Sequence, residues 1–370
     1  MAQNQQNLQD RLKAIFASRN YEILGEIGRG GMGVVYLAND KKLDRKVALK
    51  TLSPDRASKE NSLRRFEREA KSFARINHPH IATLYEFEDA GPVQYLALEY
   101  INGFDLESER KNGRKWKTDE AVPVIISVAN ALAYTHKKGI LHRDIKPGNI
   151  LIEQGTKRTV LTDFGLAKGK TDESLTATGF AVGTPAYMAP EQISDQFDIE
   201  PDGRSDIFAL GTVFYEMLTN EHPFIGPDDL KTMRAIVQQA HDPISKFIPD
   251  FPEPLSRIID KMLAKHPDDR FANAEEVEAA LKEWQASGKV SIAKAPTGLT
   301  PKPTNNSQPN ASNPPEAKSN SVASPQASAQ PSSNPQINTG MSQQKLIIIG
   351  VLFAVAMLLI GLAVGILLKG

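Results

Sequence analysis

A break in composition near residue 287 limits what this chain can fold into. Residues 287–345 are dominated by Pro, Ser, Asn, Gln and Ala, with few large apolar side chains. Such a segment cannot bury enough surface to offset the entropy of ordering it, so it is expected to be a disordered linker. About 50 residues of it would span roughly 40 Å root-mean-square, and more where proline stiffens the chain. A packed core must therefore come from residues 21–286, where apolar, polar and charged side chains are well mixed. That length suffices for one large domain.

The flanks differ from each other. Upstream, Leu8, Leu12, Ile15 and Phe16 recur at i, i+4, i+7 and i+8, one apolar stripe on a helix within residues 1–20. This helix is expected to dock on the following domain. A membrane-surface role is disfavoured, because its polar face is not rich in Lys and Arg. Downstream, residues 346–368 carry no charged or strongly polar side chain, and 16 of these 23 are Leu, Ile, Val or Phe. A helix of that length is roughly 34 Å long, enough for a hydrocarbon core of about 30 Å. Its apolar side chains favour insertion by roughly 5–10 kcal/mol before glycine and end effects. The alternative, a buried core helix, follows poorly from a long polar linker. The chain contains no cysteine, which excludes disulfide and thiolate chemistry, and its net charge of zero gives no sign of a nucleic-acid partner. No signal-peptide-like apolar core stands near residue 1.

Within residues 21–286 the first chemical signal is Ile27-Gly28-Arg29-Gly30-Gly31-Met32-Gly33-Val34-Val35. Glycines there let backbone N–H groups approach a polyphosphate without a Cβ clash. A tight hairpin turn is the plainer alternative. A dinucleotide fold would need a helix directly after Gly33, whereas Val34 to Leu37 read as a strand. One strand later, Ala48 and Lys50 sit in Val47-Ala-Leu-Lys50. Leu63, Phe66, Ala70, Phe73 and Ile76 then mark a helix, with Glu69 beside its apolar stripe. A carboxylate facing the domain needs a cation, and Lys50 is the natural candidate.

Further on come His142-Arg143-Asp144-Ile-Lys146-Pro-Gly-Asn149, then Asp163-Phe164-Gly165, Ala189-Pro190-Glu191, and His266-Pro-Asp-Asp-Arg270-Phe. This order of motifs, over about Tyr21 to Trp284, resembles the bacterial eukaryotic-like (Hanks-type) serine/threonine protein kinases. The resemblance implies an α+β, bilobal protein-kinase fold with a small β-rich N-lobe and a larger helical C-lobe. It implies ATP as phosphoryl donor, Mg2+ as metal with Mn2+ as a possible substitute, and proteins bearing Ser or Thr as substrates. On it, Asp144 is the catalytic base and Lys146 neutralises the γ-phosphate. Asn149 and Asp163 hold the metal, and Lys50, braced by Glu69, holds the α- and β-phosphates. The adenine hinge would be the backbone of Glu99 to Ile101, with Leu98 behind it. Arg143, Phe164, Glu191, Asp206 and Arg270 would be structural supports, with His142 core under Phe164 and Glu191 paired with Arg270. Ser205 to Leu218 is apolar nearly all round and reads as a buried helix. Asp206 near its start is an N-cap on the plain reading. On the resemblance it braces the loop before Asp144.

Two classes of function stay in view. The leading one is an active, membrane-anchored serine/threonine kinase; the other is a catalytically weak kinase-fold scaffold that recruits partners to the bilayer. Lys50, Asp144, Asn149 and Asp163 are all present, which favours the first. Arg143 is expected to be a buried charge awaiting an anion. Thr176 and Thr178 lie where related kinases carry activating phosphothreonines, so autophosphorylation would supply one. Since ATP is cytosolic, a single pass through the cell membrane would leave the kinase domain in the cytoplasm and the C-terminus outside. The sequons Asn305-Asn-Ser307 and Asn310-Ala-Ser312 would then go unused. Gly361 and Gly365 form a GxxxG face through which two spans could meet as a homodimer. Replacing both by Leu is expected to lower autophosphorylation of the full chain in membranes; an unchanged rate would count against the dimer.

Overall fold

The computed structural model describes residues 12–30, 33–52, 67, 70, 71, 73–90, 93–164 and 185–290. The chain divides into two compact units, Met1–Lys302 and Pro303–Gly370, and every described residue lies in the first. Leu8, Gly31, Met32, Glu69, Gly165, Thr176, Thr178, nearly all of the linker, and the apolar run with Gly361 and Gly365 fall outside the described residues. Among the described residues no helix is long and apolar enough to cross a membrane.

Five strands open the fold: β1 (Tyr21–Gly30), β2 (Gly33–Asp40), β3 (Arg45–Thr51), β4 (Leu84–Asp89) and β5 (Gln94–Glu99). They form an antiparallel sheet in the order β1-β2-β3-β5-β4. The period-2 alternation of strands gives this sheet two working faces. Val47, Leu49, Tyr95 and Ala97 pack on one face. Leu96, Leu98 and Ala48 join the main core on the other, with Ala70 and Phe73 from the helical stretch seen at residues 67, 70, 71 and 73 and with Ile76 just after it. The first face is covered by α1 (residues 12–18). Phe16 is fully buried there among Tyr21, Tyr36, Leu49 and Tyr95, and Leu12 packs against the same cluster.

The second half is largely helical. β6 (Gly103–Asp105), β7 (Ile150–Glu153) and β8 (Thr159–Leu161) make a small antiparallel sheet. Between and after them run α2 (Leu106–Lys111), α3 (Thr118–His136), α4 (Pro190–Ile193), α5 (Gly203–Thr219), α6 (Asp229–Gln238), α7 (Glu253–Met262) and α8 (Ala274–Ser287). Every residue of α5 from Ser205 to Thr219 is buried, as its all-round apolar sequence predicts, with α3, α7 and α8 packed around it. Gly211 permits one of these approaches: a Cβ there would lie 2.8 Å from Cβ of Met262 on α7.

The start of α5 corrects one expectation. Its N-cap is Asp202, whose side chain accepts from the Arg204 N–H, and not Asp206. The helix begins a turn earlier than its apolar run because the polar Asp202-Gly203-Arg204 segment supplies a cap before the burial starts. Asp206 is thereby placed inside the first turn and is buried.

Glu191 on α4 and Arg270 form a two-pronged ion pair, 2.8 Å at each oxygen, with side chains 1 % and 0 % exposed. Arg270 also donates to the carbonyls of Arg204, Ala264 and Lys265, and the Ser205 hydroxyl donates to Glu191. Burial alone would raise the Glu191 carboxyl, but the hydrogen bonds and charge of Arg270 outweigh it and hold the group below its ordinary 4.5. That contribution to stability is present above the unfolded value and is lost as pH falls through the folded one. Arg270→Met strands a buried carboxylate and is expected to cost about 3–5 kcal/mol at pH 7. The Glu191 of the variant is then raised by burial, so the deficit should shrink on acidification toward pH ~4. Urea unfolding at several pH values checks this; a loss independent of pH would show that the pair is not its source.

Candidate active site

Of the residues singled out by the motifs, Lys50 and Asp163 form one pair, and Asp144, Lys146 and Asn149 form one hydrogen-bonded group. β3 carries Lys50 on its inner face, 6 % exposed. Its ammonium lies 2.7 Å from Oδ1 of Asp163. Among the described residues Lys50 thus pairs with Asp163, while Glu69, its expected brace, lies outside them. Asp163 is itself in the left-handed region, φ 59°, as is Arg143 at 61°. Non-glycine residues adopt that conformation only when their surroundings impose it.

For Arg143 the imposing group is Asp206. Asp206 of α5 accepts hydrogen bonds from the backbone N–H groups of His142 and Arg143, both at 2.8 Å, and His136 of α3 lies 2.8 Å from it. Desolvation would raise this buried carboxyl, but the hydrogen bond and charge of His136, with the two N–H donors, keep it below its ordinary range. It remains an anion able to hold both N–H groups. Arg143 itself is half-buried and already engaged, so the expected buried, unpaired charge is not what the fold presents.

His142 is fully buried, and burial lowers its pKa. Its Nδ1 accepts from the Asp144 N–H at 3.2 Å, which leaves Nε2 to donate to the Thr162 carbonyl at 2.9 Å. The ring packs 4.4 Å from Phe164, and Phe164 packs 5.4 Å from Phe73. A neutral histidine thus ties the segment at Asp144 to that at Asp163, and the aromatic column continues to the sheet's helix.

Asp144 Oδ2 accepts from Lys146 Nζ at 2.7 Å and from Asn149 Nδ2 at 3.0 Å. Asn149 Nδ2 also donates to the Asp144 carbonyl at 2.7 Å. Both amide hydrogens are spent on Asp144, so Asn149 Oδ1 is turned away from it as an oxygen donor. Together with the partly exposed Asp163 carboxylate, this is a hard-oxygen set. No cluster of three His, Cys, Asp or Glu occurs among the described residues. Two protein oxygens suit a Mg2+ ion that takes its remaining ligands from phosphates and water.

The glycine-rich hairpin pairs Gly28 with Val35, Arg29 with Val34 and Gly30 with Gly33. Val35 is also in register with Lys50. Gly33 has φ 150°, which L side chains rarely adopt. Val34 packs on the outer cluster with Phe16, on the face opposite Lys50, while Ile27 is exposed and Arg29 turns to Glu26 at 2.6 Å. At the hinge, Leu98 pairs with Ala48 across the strands. The Ile101 side chain is buried with Ala82 and Val160.

The protein kinase domain family matches residues 21–283. The chain belongs to the protein kinase family. The chain is 38 % identical over 271 residues to serine/threonine-protein kinase PknB of Mycolicibacterium smegmatis, covering 71 % of this chain and 43 % of that protein. It is 36 % identical to serine/threonine-protein kinase PrkC of Bacillus subtilis, covering 72 % and 40 %. The chain thus spans about two-fifths of the length of these curated relatives. Its fold is similar to the crystal structure of the Mycobacterium tuberculosis PknI kinase domain, with a TM-score of 0.57 and 28 % identity over 72 % of this chain and 96 % of that one. Rad53 in complex with AMP-PNP gives 0.58 at 26 % identity, over 71 % and 65 %.

Sequence reasoning passed over two supports of this kinase site. Arg158, in the β7–β8 turn, clasps Glu99 at the hinge, donates to Glu153 at 3.2 Å, and reaches the Pro79 carbonyl at 3.3 Å. Its polar surroundings, Glu153-Gln-Gly-Thr-Lys-Arg158, resemble any solvated turn. Glu216 on α5 accepts from the Tyr187 hydroxyl at 2.7 Å, and burial pushes its carboxyl up to about 7. A lone glutamate in an otherwise apolar helix was the available signal. Asp206→Ala is expected to orphan two buried N–H groups, costing about 1–3 kcal/mol for each. It should also cut kcat by releasing the left-handed turn at Arg143. Thermal unfolding and steady-state kinetics check both effects; a normal kcat in a destabilised variant would restrict Asp206 to stability.

Proposed function

We propose that the chain is an active serine/threonine protein kinase, anchored to the cell membrane by residues 346–368, with its kinase domain in the cytoplasm. The observation that carries the catalytic part is the joint positioning of Asp144, Lys146 and Asn149 with the Lys50–Asp163 pair. Phosphoryl transfer requires position and charge more than covalent participation by the protein. Lys50 would hold the α- and β-phosphates of ATP under the glycine-rich hairpin, and the backbone of Glu99 to Ile101 would hold adenine. Asp144 would orient a Ser or Thr hydroxyl and take its proton as the new O–P bond forms and the bond to the β-phosphate oxygen breaks, leaving ADP. Lys146, bonded to Asp144, would face the charge of the γ-phosphoryl group. Asn149 Oδ1 and Asp163 would hold Mg2+, which when bound neutralises phosphate charge. Serine and threonine as acceptors are supported by the names of the relatives, and the membrane anchor by the apolar run.

Activation would follow autophosphorylation at Thr176 or Thr178, and association of two spans through Gly361 and Gly365 would raise the local concentration for it. The full chain with ATP, Mg2+ and a generic basic protein is expected to incorporate phosphate, with Asp144→Asn slower by about 10²–10⁴-fold. Equal labelling by both would replace the enzyme with a kinase-fold scaffold. Thr176→Ala/Thr178→Ala should lower activity; full activity would remove those threonines from the scheme.

A further inference from the structure

Residues 12–18 precede the region that matches the kinase family, yet their helix completes the back of the sheet that carries Lys50. The Phe16 ring is fully buried, edge-on to Tyr95 at 5.0 Å and 6.3 Å from Tyr36. Tyr21 meets Tyr95 edge-on at 6.0 Å. These rings share one apolar cluster with Leu49, Val47 and Ala97, a cluster separate from the main core. The cluster therefore sits directly behind the strand that presents Lys50.

The register makes the connection specific. Leu49 pairs with Tyr36 on one side and Ala97 on the other; Thr51 pairs with Tyr95. Lys50 thus lies between two residues whose cross-strand partners contact Phe16 or share its cluster, while its own side chain points to the opposite face. Tyr95 adds a second observation. Its buried hydroxyl has no hydrogen-bond partner among the described residues, and packing against the neighbouring rings holds it. The helix is moored on both sides of the sheet. Arg19 pairs with Glu88 of β4 at 2.6 Å, and the carbonyl of Asn20, itself left-handed at φ 66°, accepts from the Lys41 N–H in the β2–β3 turn at 2.9 Å.

We propose that Phe16 is a positioning residue for nucleotide phosphates: by clamping Tyr95 and Leu49 from behind, it fixes the height at which β3 presents Lys50. The proposal rests on the kinase reading above, in which Lys50 holds the α- and β-phosphates. A lysine stem has many rotamers, and its ammonium is placed only as well as the strand beneath it. Removing Phe16 leaves Leu49 and Tyr95 without their cover and lets β3 shift. The adenine hinge, at the far end of β5, is held independently by Glu99 and Arg158. The effect should therefore fall on phosphates and spare the base.

The test compares two probes on the full chain by calorimetry. Mg–ADP engages the phosphate site, whereas adenosine engages only the base site. Phe16→Ala is expected to weaken Mg–ADP about fivefold or more while leaving adenosine unchanged. KM for ATP should rise in proportion, with KM for the protein substrate unaltered. Phe16→Leu, which keeps apolar bulk, should restore most of the loss. In a Lys50→Met background Phe16→Ala should cost Mg–ADP nothing further. Equal weakening of both probes, no weakening, or a full loss persisting without Lys50 would overturn the proposal. Should Phe16→Ala fail to fold, Phe16→Leu and Arg19→Ala carry the test, each expected to give a smaller loss confined to Mg–ADP; no such loss in either overturns it. A wild-type chain that binds neither probe overturns the kinase reading itself, an outcome distinct from selective failure of the Phe16 variants.

Discussion

The buried carboxylate of Asp206 is the interaction on which the site depends. It reaches from the most buried helix of the fold to two adjacent backbone N–H groups, those of His142 and Arg143. A carboxylate can be kept ionised in such a place only if donors replace its lost water, and three donors do so here. The exchange works in both directions. The loop receives a left-handed turn that no local preference would give it, and the helix receives partners for a charge it could not otherwise bury. Asp144 emerges from that turn already aimed, and Lys146 and Asn149 then close on it.

From this anchor, order passes to the other half of the chain through packing. His142 links the loop to the Thr162 carbonyl and to Phe164; Phe164 links it to Phe73. Asp163, next to Phe164, meets Lys50 across the cleft. A shift of any one of these groups moves the others, because close-packed rings and a short ion pair leave no slack. The sheet that supplies Lys50 is supported from two sides, by the main core within and by the Phe16 cluster without.

Much of this was readable in the sequence, for a physical reason. Phosphoryl transfer restricts residue types at a few positions, so Lys50, Asp144, Lys146, Asn149 and Asp163 stand out. The all-round apolar run of α5 similarly announces a helix with no solvent face. Pairings between distant segments are harder. Nothing in the linear order announces that Lys50 meets Asp163, because the two come together only through the fold. The early start of α5 was hidden because Asp202-Gly-Arg has the composition of a loop as much as of a cap. Arg158 and Glu216 were missed for opposite reasons: the first lies in a polar turn where arginine is unremarked, the second is a charge inside an apolar run, where it should have been questioned.

The clasp of Arg158 on Glu99 has a thermal consequence. Its two side chains are 27 % and 19 % exposed, so dissolved salt screens the pair less than it screens the surface pairs. The cost of stripping water from charged groups falls on heating, whereas apolar burial gains little more. As temperature rises, the ionic link at the hinge should hold its strength while the apolar cover over the sheet does not improve. Warming would then loosen the phosphate end of the cleft before the adenine end.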